Sequence, residues 1–353
     1  MEKRCIYFDI LRIVACFAVI IIHVCSWYLY SDINSPNWQV FNFYNSIVKW
    51  SVPIFVMISG ALFLKANYSL EELYKNKILR IFISLCFWSI VYCFYIVYVN
   101  KNFDLKFILF SLITLKGKVH LWFLYMIMGL YILVPFLKKI VEDKFLIKYF
   151  LILSLLFTFI IPKLISVISS FQKDGDVLFN NFVLSCNNFN LYFVLGYTSY
   201  FILGHFLDTE TIDEKNKINI IYTLGVIGFI LTMFLSNIYI HYLGKFDELF
   251  YDYLSFNIFL ESIFVFVFIK KCFEHFKFSD KQKNIIIKCS KYSFGAFLVH
   301  YLILDILMRF CHFTPISFNP LFSVPIIGII VFVISFFISS LLNKIPFLNK
   351  YIV

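Results

Sequence analysis

Asp9-Ile10-Leu11-Arg12-Ile13-Val14-Ala15-Cys16-Phe17-Ala18-Val19-Ile20-Ile21-Ile22-His23-Val24 is the stretch on which the reading of this chain turns. It carries one arginine near its start and one histidine near its end, in an apolar run long enough to cross a bilayer. At about 100° per residue, the eleven steps from Arg12 to His23 return both side chains to within about 20° of one helix face, with about 16 Å of rise between them. Ionisable side chains inside a membrane are expensive and normally face a bundle interior or a wet cavity. The pair therefore marks two depths of one lined path. The simpler reading has Arg12 snorkelling to the headgroups and His23 as a hydrogen-bonded packing residue.

The surrounding chain is built for a bilayer. Of 353 residues, 61% are hydrophobic and 21% aromatic, and only 15% are charged. A water-soluble chain of that composition would aggregate, so the expected class is an all-α polytopic membrane protein. Ten apolar runs stand out, at about 7–28, 46–64, 79–99, 119–137, 147–168, 191–207, 217–238, 254–270, 290–309 and 323–342. An even number places both termini on one side. With that side cytoplasmic, the inner loops and ends hold 21 lysines and arginines against 9 outside. Both termini are therefore expected in the cytoplasm, Arg12 near the cytoplasmic face and His23 in the outer half.

The net charge of +10 raises the question of nucleic acid, but the basic residues sit in loops between apolar runs. They read as topology determinants facing anionic lipid, with no nucleic-acid partner. The N-terminal Glu2-Lys3-Arg4-Cys5 looks like the start of a signal peptide, yet no small-residue cleavage site follows His23, so an uncleaved first span is expected. Nine scattered cysteines show no metal-ligand spacing and are odd in number, which indicates packing residues and no metal site. The longest outer loop, about 169–190, contains Gln172–Asp176 and Asn187-Asn188 as turn chemistry. A single transmembrane domain over residues 1–353, without an appended soluble domain, is the expected organisation.

Further stretches carry residues that packing alone does not demand. Val52–Gly60 holds Pro53, Ser59 and Gly60, which suits either a kinked packing helix or a site wall. His120-Leu121-Trp122-Phe123-Leu124-Tyr125 opens the fourth run, where the aromatics are ordinary interface anchors and His120 adds a second imidazole beside the outer face. Lys77 and Arg80, three apart on one helix face, form a cationic fork suited to a polyphosphate. His205, His300, Glu261 and Asp305 lie in or at the ends of apolar runs, as acid-base candidates or as structural partners of Tyr and Ser.

Taken in order, Arg12 to His23, Pro53 to Gly60, Lys77–Arg80, His120-Leu-Trp122, Leu195-Gly-Tyr197, Leu203-Gly204-His205 and Tyr292-Ser293 to His300 resemble the acyltransferase family 3 membrane proteins. The resemblance covers nearly the whole chain. It implies a ten-helix enzyme of the plasma or inner membrane that transfers groups other than amino-acyl groups, in the manner of an O-acetyltransferase. The acyl group, usually acetyl, would pass from cytosolic acyl-CoA to a hydroxyl of a cell-surface or lipid-linked glycan.

The family's arginine and histidine carry over to Arg12 and His23, with Arg12 helping to hold coenzyme A. Its basic pair, often two arginines, appears here as Lys77 and Arg80. His23 is then expected to act as general base, with His120, Trp122 and Ser59 as substrate-binding candidates. Acetyl-CoA serves as a donor co-substrate, and no cofactor is permanently bound. Many relatives carry a hydrolase-like domain that completes transfer, so a soluble partner transferase is an open expectation. The competing readings are a non-enzymatic glycan exporter or flippase, and a membrane sensor.

Overall fold

The computed structural model describes residues 4–101, 106, 108, 118–170 and 195–353. Among these the regular elements are all helical, and eight stretches are long and apolar enough to cross a membrane. The protein is thus an all-α polytopic membrane protein.

Helix α1 (Ile6–Leu29) contains the arginine–histidine stretch. Helix α2 (Pro36–Ser46) starts on Ser35, whose hydroxyl accepts the Asn37 N–H, with Pro36 in the first helical position. Helix α3 (Ser51–Phe63) follows after residues 47–50. The run expected over 46–64 is therefore the second half of an interrupted span, Pro36–Phe63. Its first half escaped the hydropathy pattern because Gln39, Asn42 and Asn45 are polar, yet Asn42, Asn45 and Ser46 are buried. Pro53 sits in the first turn of α3, where a missing N–H removes no helical bond, so it starts a helix where a kink was the alternative.

The third span begins at Leu70, where 79 was expected. Ser69 and Glu72 form a capping box, a π turn covers Leu73–Ile78, and α4 runs over Leu79–Asn100. Helix α5 (Trp122–Val141) is led in by a 3-10 turn at Val119–Leu121. Helices α6 (Lys144–Ser154) and α7 (Ile161–Ser170) flank a second π turn, Leu155–Ile160. Helix α8 covers Thr198–Thr209. The start of the run expected at 191–207, the turn chemistry of Gln172–Asp176 and Asn187-Asn188, and Cys186 lie outside the described residues.

The remaining helices are α9 (Lys215–Leu243), α10 (Phe256–Phe273), α11 (Asp280–Arg309), α12 (Pro320–Leu342) and α13 (Pro346–Tyr351). Ser279 and Gln282 box the start of α11, and Asn319 caps α12 ahead of Pro320. The count of eight falls short of the ten expected because α8 is described only from Thr198 and α10 carries Glu261, Lys270 and Lys271.

The chain divides into two compact units. Unit 1 comprises Met1–Val24, Ala66–Phe136 and Lys277–Val353. Side-chain contacts give its helix directions. Cys16 meets the Ser293 carbonyl and His23 meets His300, seven residues on in both helices, so α1 and α11 are parallel. Tyr92 donates to the Leu298 carbonyl at 2.8 Å and Tyr95 to Asp305 at 2.6 Å, so α4 runs the same way. Helix α12 is antiparallel to them: Phe332 packs on Phe17, Gly328 lies under Ile21, and the Ser339 hydroxyl donates to the Tyr292 carbonyl at 2.8 Å.

Unit 2 comprises Cys25–Lys65 and Leu137–Phe276. Helices α3 and α8 cross backbone to backbone: a Cβ on Gly60 would overlap Phe201, and one on Gly204 would overlap Met57. Between α9 and α10, Thr232 donates to the buried Glu261, and the Asn257 amide donates to Thr232 at 2.7 Å. Glu261 thus has a structural partner, a threonine where the sequence had suggested Tyr or Ser. Lys49 places its ammonium 5.4 Å from the Tyr251 ring centre and 5.3 Å from that of Tyr253.

Candidate functional site

The side chains best suited to chemistry gather in unit 1, where three spans bring three histidines together. The His23 and His300 ring centres are 5.1 Å apart, His120 and His300 5.1 Å, and His23 and His120 6.2 Å. Parallel packing of α1 on α11 sets the first pair, and the 3-10 turn leading into α5 supplies His120. Tyr301 stacks on His120 with 9° between planes and lies edge-on to His23 at 5.3 Å, while Tyr92 meets His120 edge-on at 5.1 Å. The sequence named all three histidines but gave no sign that they meet. His120 and His300 are 2% and 0% exposed, whereas His23 is half-buried and so is the accessible member.

The hydrogen bonds around the cluster leave basic nitrogens available. His300 Nδ1 lies 2.5 Å from the Phe297 carbonyl, and a proton there leaves Nε2, which is buried without a partner, as an acceptor. His120 Nε2 lies 3.4 Å from the Leu298 carbonyl that also receives Tyr92, and its Nδ1 is likewise buried without a partner. Adjacent imidazoles with unused lone pairs are suited to taking a proton and passing it on.

The other end of α1 is cationic. Asp9, 1% exposed, receives both Arg4 nitrogens at 2.8 Å and Arg12 Nη1 at 3.4 Å. Asp9 therefore orients the Arg12 guanidinium, a role the sequence reading missed even though the residue sits one turn before Arg12 on the same face. Arg80 donates from Nη2 to the Val353 oxygen at 2.6 Å, and its Nε is buried without a partner. Both Arg12 and Arg80 are in electrostatic reach of Tyr131, eleven residues along α5 from His120, which makes α5 antiparallel to α1 and α4.

The remaining candidates are more dispersed. Lys77 falls in the π turn, so the regular three-residue spacing to Arg80 does not hold there, and its ammonium lies 5.2 Å over Tyr68. It remains in electrostatic reach of Arg80. Trp122 is half-buried and lies edge-on to Phe123 at 6.5 Å. Ser59 belongs to unit 2, where its hydroxyl donates to the Phe55 carbonyl at 2.9 Å. His205, 8% exposed, is also in unit 2, in electrostatic reach of Lys65 and Asp208. Of the cysteines, Cys16, Cys25 and Cys93 are buried, while Cys5, Cys272 and Cys311 are exposed and so are not the packing residues expected of them. No group of three or more His, Cys, Asp or Glu among the described residues is arranged to hold a metal ion.

Unit 1 thus offers guanidinium groups at one end and imidazoles with unused ring nitrogens at the other, with α1 and α5 running between them. A family model described as an acyltransferase domain matches residues 6–342. No curated protein and no solved structure matches the chain.

Proposed function

The chain belongs to the acyltransferase family 3 membrane proteins, and with a membrane acyltransferase as the premise we propose that it moves an acetyl group from cytosolic acetyl-CoA to a hydroxyl of a cell-surface or lipid-linked glycan. The observation that carries this reading is the polarity of unit 1, with Arg12 and Arg80 toward one end and His23, His120 and His300 toward the other. The excess of lysine and arginine in alternate loops supports placing the arginine end in the cytosol of a plasma or inner membrane.

In this mechanism Arg12, Arg80 and Lys77 hold the phosphates of coenzyme A by charge-assisted hydrogen bonds. The pantetheine arm extends along the α1 face toward His23. His23 removes the proton of the acceptor hydroxyl as its oxygen attacks the thioester carbonyl. The tetrahedral intermediate collapses to the ester and expels the thiolate of coenzyme A, which takes up the proton. His120 and His300 pass that proton within the cluster, and Trp122 borders the sugar.

The test uses protein in nanodiscs with radiolabelled acetyl-CoA and a glycan extract. Label is expected in the glycan. If the protein neither binds nor consumes any acyl-CoA, the exporter or sensor reading replaces this one. Arg80→Gln is expected to raise KM for acetyl-CoA about 10- to 100-fold at nearly constant kcat, since a charged hydrogen bond contributes about 1.5–3 kcal/mol. An unchanged KM would remove Arg80 from the donor site.

A further inference from the structure

Helix α13 is fastened to unit 1 chiefly by the two residues that follow it. None of its own six residues is buried, and six residues are too few to hold a helix by themselves. Ile352 and Val353, by contrast, are each 1% exposed. Helix α4 secures them with two side chains. The buried Ser84 hydroxyl shares its proton between the Tyr351 and Ile352 carbonyls, at 2.9 and 3.0 Å, and Arg80 donates from Nη2 to the Val353 oxygen at 2.6 Å. On the opposite side, a Cβ added to Gly295 of α11 would lie 3.0 Å from the Val353 Cβ. Gly295 is two residues past Ser293, whose carbonyl meets Cys16 one turn after Arg12. The seat of residues 352 and 353 is therefore at the arginine end of unit 1.

This seat conflicts with the part given to Arg80 in acyl transfer. Its guanidinium is already engaged by the chain's own backbone, at the end where the phosphates of coenzyme A are to be held. The engagement is also incomplete: Arg80 Nε is buried without a partner, and a buried charged donor without an acceptor is costly. Nε and Nη2 point the same way in the guanidinium plane, which is the fork that a phosphate grips with two oxygens. A phosphate in place of the Val353 oxygen satisfies both nitrogens where the backbone satisfies one. The fastening is thus strong enough to close the seat and weak enough to yield to the right anion.

We propose that residues 346–353 form an autoinhibitory strap that competes with coenzyme A for Arg80. At rest the Val353 oxygen holds the guanidinium and Ile352 and Val353 fill the seat between α4 and α11. Donor binding exchanges that oxygen for phosphate and lifts the strap, while α4 and α11 stay as they are. The exposed α13 offers no buried face to resist the movement. This inference rests on coenzyme A as the donor and on Arg80 as one of its ligands, but its test requires no turnover.

The experiment uses full-length protein in phosphatidylcholine nanodiscs, with coenzyme A itself as the probe, and reads equilibrium affinity beside amide hydrogen exchange. The Ile352 and Val353 amides donate to the Leu348 carbonyl at 2.8 and 2.9 Å, so they report whether the strap is seated. Saturating coenzyme A is expected to speed their exchange about 10-fold or more, with no such rise along α11. A variant combining Ile352→Ser and Val353→Ser is expected to bind coenzyme A about 10-fold more tightly, since the competent state no longer has to displace the strap. Ser84→Ala, which keeps both apolar side chains, is expected to gain about 3-fold from the lost hydrogen bond. A synthetic peptide of residues 346–353, added to the double variant, is expected to weaken coenzyme A binding again, and a scrambled peptide is not.

Affinity that is unchanged or weaker in both variants overturns the proposal, because residues 352 and 353 then support the site and do not compete with the donor. Should the double variant fail to stay monodisperse, Ser84→Ala and the exchange of wild type decide the matter. Wild type that binds coenzyme A with its Ile352 and Val353 exchange unchanged or slowed overturns the strap and leaves the donor reading standing. Coenzyme A that binds neither wild type nor any variant overturns the donor reading, and the strap with it.

Discussion

Under the proposed mechanism, His23→Ala protein is expected to lose acetyl transfer by about 100- to 10,000-fold, the range in which a positioned general base contributes, while its affinity for acetyl-CoA is expected to stay near that of wild type. The argument rests on accessibility. His120 and His300 are almost fully buried and His23 is half-buried, so His23 is the imidazole that an acceptor hydroxyl can reach. Its partners Tyr301 and His300 belong to α11 and keep their own backbone bonds when the ring is removed. The fold should therefore survive. The measurement is label transfer beside equilibrium binding of acetyl-CoA, on protein that remains monodisperse in detergent. Transfer at the wild-type rate would eliminate His23 as the base, whereas loss of both transfer and binding would recast it as a donor-site residue.

Gly60→Leu is expected to have the largest effect on stability. A Cβ at Gly60 would overlap the Phe201 backbone, and the reciprocal position Gly204 is equally closed against Met57. Because the obstacle is backbone, no side chain can swing aside, and the helices must separate along their whole crossing. Overpacking of a core typically costs about 1–3 kcal/mol, and a backbone collision falls at or beyond the upper end. The expected outcome is loss of monodisperse protein, or a melting temperature lowered by several degrees. Gly129→Ala is the control: nothing lies within 4 Å of an added Cβ there, and relief of glycine's conformational freedom contributes about 0.5–1 kcal/mol of stability. If the two variants melt alike, close approach is not what holds α3 to α8.

Much of the architecture could be read from hydropathy because spans announce themselves by length. What could not be read followed from polarity inside a span. Asn42 and Asn45 are buried, but their side chains kept α2 out of the apolar pattern. The π turns at Leu73–Ile78 and Leu155–Ile160 leave no hydropathic trace, and the first of them displaced Lys77 from the regular face assumed for it.

At the site, helical periodicity placed Arg12 and His23 on one face, a local relation. The meeting of His23 with His120 and His300 is tertiary, and no spacing along the chain encodes it. Asp9 was overlooked although its carboxylate lies three residues before Arg12, because spacing alone does not show that it is buried as the partner of two arginines. Asp305 was named by cost alone, whereas its link to Tyr95 and Arg309 emerges only once α4 lies beside α11.

The interleaving of the two units along the chain bears on how the protein is made. His23 and its partner His300 are 277 residues apart. At about 5–20 residues per second of synthesis, His23 waits roughly 15–60 s for α11 to emerge. All of unit 2 leaves the ribosome in that interval, since its last segment ends at Phe276 and the final segment of unit 1 begins at Lys277. Through that interval α1 holds an arginine and a histidine in the bilayer without α11, a state in which polar side chains are expensive. The nascent chain is accordingly most exposed to membrane quality control late in translation, and arrest before α11 leaves an inserted chain in which His23 never meets His300.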